Sequence, residues 1–169
     1  FFARSIDVEL ATSQEVLVAA ARHKGTSVTE ILQNCVIFNN GIHNPITDKA
    51  VRAEKTIHLR HGEKMLFGKD MEKGLVQDGF GLKAVTVGQD GYTLDDVLVH
   101  DAHTESNFLH QQLAMMDGET LPLAIGVIRD VAAPTYDEGV SQQVEEVRAR
   151  KGFDSLRSMI LAGETWTVE

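Results

Sequence analysis

A single cysteine, Cys35, stands in 169 residues, so no internal disulfide can form. Nor can the chain complete a thiolate metal site from its own cysteines. A reducing, cytoplasmic location is the expectation that follows. No apolar run approaches the length needed to cross a bilayer. The start lacks a basic segment followed by an apolar one, so no secretory leader is expected. Basic side chains are also in deficit: 16 Lys and Arg face 25 Asp and Glu, for a net charge of −9. A chain of that sign is a poor partner for nucleic acid or an anionic membrane surface. Internal repeats and low-complexity stretches are absent too, which excludes solenoids and disordered tails.

What remains is an ordinary globular composition, 43% hydrophobic and 24% charged. The length suits one domain or a domain with an extension. The chain opens Phe1-Phe2-Ala3-Arg4 without a methionine. Two phenylalanines normally sit inside a protein. The expectation is a polypeptide cut from a longer one, starting just before or inside a strand whose edge is left bare.

The pattern predicts an α/β fold. Residues 8–23 read as a helix with Val16, Leu17, Ala20 and Ala21 on its apolar face. Asp7 would cap it, or Thr12 with Glu15 in a capping box. Residues 28–38 are β-branched and nearly continuous, as in a strand buried on both faces of a parallel sheet. Residues 56–59 and 64–67 suggest a hairpin turning near His61-Gly62. Short strands are expected around Gly79 and Gly81, at 97–100, at 123–131 and at 166–168. Residues 107–116 suit a helix. Thr135 and Glu138 form a capping box for a helix that Gly152 ends, and a shorter helix lies around Leu156 and Ile160.

Few residues carry chemistry on their own account. An isolated cysteine in an apolar strand is usually an inert small hydrophobe. His100, Asp101 and His103 would suit zinc or iron if the chain turned there, as in a small metal-dependent hydrolase. A third firm ligand is missing, and a polar strand-end loop is the stronger reading. His58 and His61 should lie on opposite faces. Gly79-Phe80-Gly81 lacks the third glycine of a dinucleotide fingerprint and reads as a turn. No catalytic residue can be named.

The segment from Gly25 to Asn40, with Gln33-Asn34-Cys35 at its centre, resembles the β subunits of 2-oxoacid:ferredoxin oxidoreductases. So do His58-Leu59-Arg60-His61-Gly62-Glu63 with Leu66-Phe67-Gly68, and Leu98-Val99-His100-Asp101. Gly126-Val127-Ile128-Arg129 leading into Pro134-Thr135-Tyr136 is similar as well. The likeness runs over nearly the whole chain and leans to the 2-oxoglutarate branch.

It implies that residues 1–38 end a thiamine diphosphate-binding domain with a parallel sheet. Residues 39–169 would be the carboxyl-terminal extension of short strands and helices. It implies an enzyme that converts a 2-oxoacid, coenzyme A and oxidised ferredoxin to acyl-CoA, carbon dioxide and reduced ferredoxin. The cofactors implied are thiamine diphosphate, Mg2+ and a [4Fe–4S] cluster, and the partners an α subunit and ferredoxin. Cys35 is implied as the fourth cluster ligand. The acidic-glycine diphosphate motif and the other cluster cysteines have no counterpart here. The chain alone is therefore expected to be inactive and to bind no cofactor. A non-catalytic module that docks a partner subunit is the alternative.

Overall fold

The computed structural model describes residues 1–152, 155–164 and 166–168. They form two units, 1–133 and 134–169. In the first unit, strand β1 (Phe2–Ile6), helix α1 (Leu10–Arg22) and strand β2 (Val28–Leu32) come first. Two single-turn helices follow, α2 (Asn44–Thr47) and α3 (Arg52–Lys55), then β3 (Thr56–Leu59), β4 (Leu66–Phe67), β5 (Lys73–Asp78) and β6 (Gly81–Thr86). Helix α4 (Phe108–Ala114) and strand β7 (Leu123–Arg129) complete it.

The α/β class is as expected, but the sheet is mixed. Its order is β2-β1-β7-β3. β1 and β2 are parallel, joined by the α1 crossover; β3 and β7 are also parallel. Between the pairs, β1 runs antiparallel to β7, with Ala3 opposite Val127 and Arg4 opposite Gly126. One parallel pair therefore points its carboxyl ends away from the other. Strands from both sides of residue 38 share this sheet. A second sheet, β4-β5-β6, is antiparallel throughout.

Burial explains the arrangement. β7 is one of the two interior strands, and its Leu123, Ala124, Ile125 and Ile128 are all buried. Ile57, Leu75 and Leu113 join Ala124 and Ile128 in the main core. Arg4 ties the layers together. Its Nε donates to Glu30 on the neighbouring strand at 2.7 Å, and its Nη2 donates to the Ala114 carbonyl at the end of α4 at 2.7 Å. Gly126 has φ +101°, and a Cβ there would lie 2.6 Å from the Leu59 carbonyl oxygen. Only glycine lets β7 approach β3 so closely at that angle.

Several expected elements differ. α1 buries Val16, while Leu17 and Ala21 face outward. Neither Asp7 nor Thr12 caps it; Glu9 holds the cap position, and Thr12 Oγ1 donates to the Glu9 carboxylate at 3.0 Å. The strand expected over 28–38 stops at Leu32 and lies at the sheet edge, with Val28 and Ile31 exposed. Apolar continuity signalled burial, yet one edge of β2 has no neighbour. The hairpin expected over 56–67 does not form. β3 pairs with β7 in the large sheet and β4 with β5 in the small one, although Gly62 does turn the chain at φ +79°. Residues 97–100 make no regular strand. They are threaded by Met65 N–H to Leu98 O at 2.8 Å and His100 N–H to Glu63 O at 2.9 Å. Residues 166–168 are irregular.

The second unit holds helix α5 (Tyr136–Lys151) and helix α6 (Leu156–Ile160). Thr135 Oγ1 accepts the Glu138 amide, Thr135 N–H donates to the Glu138 carboxylate, and Gly152 ends α5 at φ +60°. Both ends are as the sequence predicts, because capping is local.

Candidate functional site

β1 and β2 end side by side, and ligands in α/β sheets gather at such carboxyl ends. The chain leaving β2 is captured at once. Asp7 N–H donates to the Leu32 carbonyl at 3.0 Å, and Asn34 N–H donates to the Asp7 carboxylate at 2.9 Å. The Asn34 side chain then spans the loop that follows. Its Nδ2 donates to Asn40 Oδ1 at 3.0 Å, and its Oδ1 accepts the Gly41 amide at 2.8 Å. Inside this staple, Asn39 N–H closes a tight turn on the Cys35 carbonyl at 3.0 Å. A side chain that bonds nearby backbone competes with strand pairing, which is why β2 ends where it does.

Cys35 therefore sits on an exposed turn and not within a strand. Three apolar residues follow it into solvent: Val36 is 71% exposed, Ile37 82% and Phe38 90%. The amides of Phe38 and then Ile37, with a smaller contribution from Asn39, donate toward the sulfur and hold the thiol below its ordinary pKa. Thiolate is the form that binds metal. The chemistry of this turn, an open sulfur among amide donors, fits one corner of an iron–sulfur cluster.

The second candidate group lies at the other end of β1. His100 is fully buried and donates Nε2–H to the Val127 carbonyl at 2.9 Å; burial lowers its pKa, so the ring is neutral. His103 donates Nδ1–H to the Asp130 carbonyl at 2.7 Å, and its own amide donates to the Asp101 carboxylate at 2.9 Å. His61 joins them, its ring 4.3 Å from that of His103. His61 Nδ1 accepts the Ala102 amide at 3.3 Å, so the Asp101 carboxylate 3.4 Å away is no partner for a neutral ring. His58 goes elsewhere, to Glu9 at 3.3 Å.

Among the described residues, no group of three or more His, Cys, Asp or Glu could hold a metal ion. His100, Asp101 and His103 form the polar loop that the sequence favoured over a hydrolase centre. His100 and His103 each give one ring nitrogen to a backbone carbonyl.

Sequence reasoning missed two members of this corner. Arg129 reaches the carbonyls of Thr104 at 3.0 Å and Glu105 at 3.2 Å, and donates to His110 Nδ1 at 2.9 Å. His110 passes the contact on, donating Nε2–H to the Asp101 carbonyl at 2.8 Å. His23 contacts Asp130 at 2.7 Å across 107 positions. No local spacing signals partners so far apart.

No family model matches the chain, and no solved structure does. A curated protein, the 2-oxoglutarate oxidoreductase subunit KorB of Mycobacterium tuberculosis (strain ATCC 25618 / H37Rv), is 34% identical over 172 aligned positions. The match takes in 100% of this chain and 45% of that protein, so the chain spans about half the length of its curated relative. The resemblance read from the sequence is borne out: this chain is a homologue of a 2-oxoacid oxidoreductase subunit.

Proposed function

We propose that this chain is the carboxyl-terminal part of the β subunit of a thiamine diphosphate-dependent 2-oxoacid:ferredoxin oxidoreductase, of the 2-oxoglutarate branch. The observation that carries the reading is the 34% identity, along the whole of this chain, with part of the 2-oxoglutarate oxidoreductase subunit. Residues 1–38 would close the thiamine-binding domain, and 39–169 would be its extension. The complete enzyme would oxidise and decarboxylate a 2-oxoacid, join the acyl group to coenzyme A and reduce ferredoxin. An α subunit would complete it. The setting would be cytoplasmic; among the described residues no helix is long and apolar enough to cross a membrane.

Within that enzyme, Cys35 is the proposed fourth ligand of a [4Fe–4S] cluster. A cluster held there supplies one-electron steps between the 2-oxoacid and ferredoxin. Cys35 would give its thiolate to one iron. The Phe38 and Ile37 amides would offset the charge on sulfur, and the apolar side chains beside it would exclude water. No diphosphate motif is recognisable in this chain, so the proposal gives it no thiamine or magnesium ligand.

Cys35→Ser in the complete subunit tests the reading. Serine is close in size but a harder donor. Iron content should fall, or the cluster potential shift, and ferredoxin reduction should drop far more than thiamine binding. Four irons per cluster with normal ferredoxin reduction would remove Cys35 from the ligand set. A second reading, a docking module without catalysis, rests on exposed Tyr136, Leu156, Ile160 and Trp166 in the 134–169 unit. Iron and thiamine analysis of the complete gene product separates the two.

A further inference from the structure

A cluster ligand carried on an exposed loop faces a physical difficulty. The loop must hold sulfur in one place, yet Val36, Ile37 and Phe38 have no packing of their own to fix it. Ordering a free loop around a metal costs conformational entropy at every residue. In this chain the ordering is done before any metal arrives, and one side chain does most of it.

We infer that Asn34 is a positioning residue that pre-forms the Cys35 turn for iron through its bonds to Asp7, Asn40 and Gly41. The inference rests on the ligand assignment above and deepens it. Three observations carry it. The backbone of Asn34 is tied to the end of β1 through the Asp7 carboxylate at 2.9 Å, so the turn is referenced to the sheet. Its side chain bonds two consecutive residues, Asn40 at 3.0 Å and Gly41 at 2.8 Å, on the far side of the turn. Between these anchors lies only the Cys35 turn, closed on itself by Asn39. The loop is thus a small ring with Asn34 as its clasp.

Asparagine suits this task. One side chain must accept from an amide N–H and donate to a neighbouring carbonyl-type oxygen, which few others can do at once. Gly41 has φ +80°, so its amide is presented to Asn34 from a left-handed bend that a side chain would strain. The amides of residues 37–39 keep their direction toward sulfur only while the ring stays closed.

The test uses the complete subunit in its assembled enzyme, with three variants and two readouts. The readouts are the rate of iron loss to a chelator and the cluster midpoint potential followed by electron paramagnetic resonance. Asn34→Ala opens the clasp. Losing two hydrogen bonds should speed iron loss about tenfold. It should also move the potential to more negative values, because fewer amides offset the charge on sulfur. Thiamine binding and the thermal midpoint should stay as in the parent, which a merely structural residue would not leave so selectively untouched.

Asn34→Asp retains an acceptor for the Gly41 amide, and the Asn40 side chain can turn to donate to it. Iron loss in that variant should return to within about twofold of the parent. Should Asn34→Ala not accumulate, Asn34→Asp decides alone: a tenfold faster loss there would overturn the inference. Cys35→Ser is the control. If Cys35→Ser keeps both its iron and the parent potential, the ligand reading fails and the inference with it. If Cys35→Ser loses iron while Asn34→Ala matches the parent in both readouts, the ligand reading stands and the clasp is overturned.

Discussion

At one end of β1 stands the Cys35 turn, and at the other the corner of His100, His103, His110 and Arg129. Both are polar groups at strand ends, and both rest on backbone hydrogen bonds. The difference lies in where the bonds leave the reactive atom. In the corner, His100, His103 and His110 each give one ring nitrogen to a carbonyl 9 to 27 residues away, and His100 is sealed from solvent. In the turn, the bonds are made by Asn34 and by the backbone, while the sulfur stays open. The lesson concerns how to weigh candidate ligands. Histidines set at fixed points on backbone carbonyls, with no third ligand beside them among the described residues, are architecture. A solitary thiol whose supporting groups are satisfied around it still has a lone pair to offer.

The contrast can be pressed hardest in the core that the two ends share. Ile125 is fully buried with Ile6 and Leu123 under the sheet. Ile125→Ala should cost about 3 kcal/mol in urea unfolding, from lost burial and an unfilled cavity. A loss under 1 kcal/mol would show that this part of the sheet is not the packed support both ends depend on.

The corner is next, and its signature is pH. Burial holds the folded His100 pKa below its ordinary value near 6.5. The unfolded chain therefore binds a proton more readily than the folded one. The contribution is fully present above the unfolded pKa. It begins to be lost as pH falls past that value, and the loss continues toward the folded pKa. From pH 7.5 to 5.5 the parent should lose more stability than His100→Phe in urea unfolding. Equal slopes would mean that His100 takes up a proton in place.

The turn should respond least in stability and most in reactivity. Phe38→Ala should change unfolding by no more than about 0.5 kcal/mol, since its ring is already in water. Iodoacetamide should nonetheless alkylate Cys35 at neutral pH faster than it does a cysteine in an unstructured peptide. A peptide-like rate would show that the amides do not reach the sulfur.

What the sequence made legible was local. The Thr135–Glu138 box and Gly152 mark α5 because each signal acts within a few residues of itself. The turn at Gly79-Phe80-Gly81 is the β5–β6 connection, with Asp78 opposite Gly81. Non-local pairing was not legible. The runs at 56–59 and 64–67 look like a hairpin, yet they belong to different sheets, because β3 finds β7 more than sixty residues later. The apolar run through Phe38 misled for another reason: hydrophobicity reports that a surface wants cover, not that this chain provides it. The family resemblance singled out Cys35, but only the coordinates show the Asn34 clasp that surrounds it.

The antiparallel junction between β1 and β7 has a consequence for how such a protein can change over time. It sends the thiol turn and the histidine corner to opposite ends of β1, about 17 Å apart for a five-residue strand. Substitutions that far apart, with no shared partners, combine nearly additively. A lineage could therefore retune its thiol turn by drift at residues 34–41 without renegotiating the stability anchored by Arg129 and His110. The two ends can be inherited together and still evolve at separate rates.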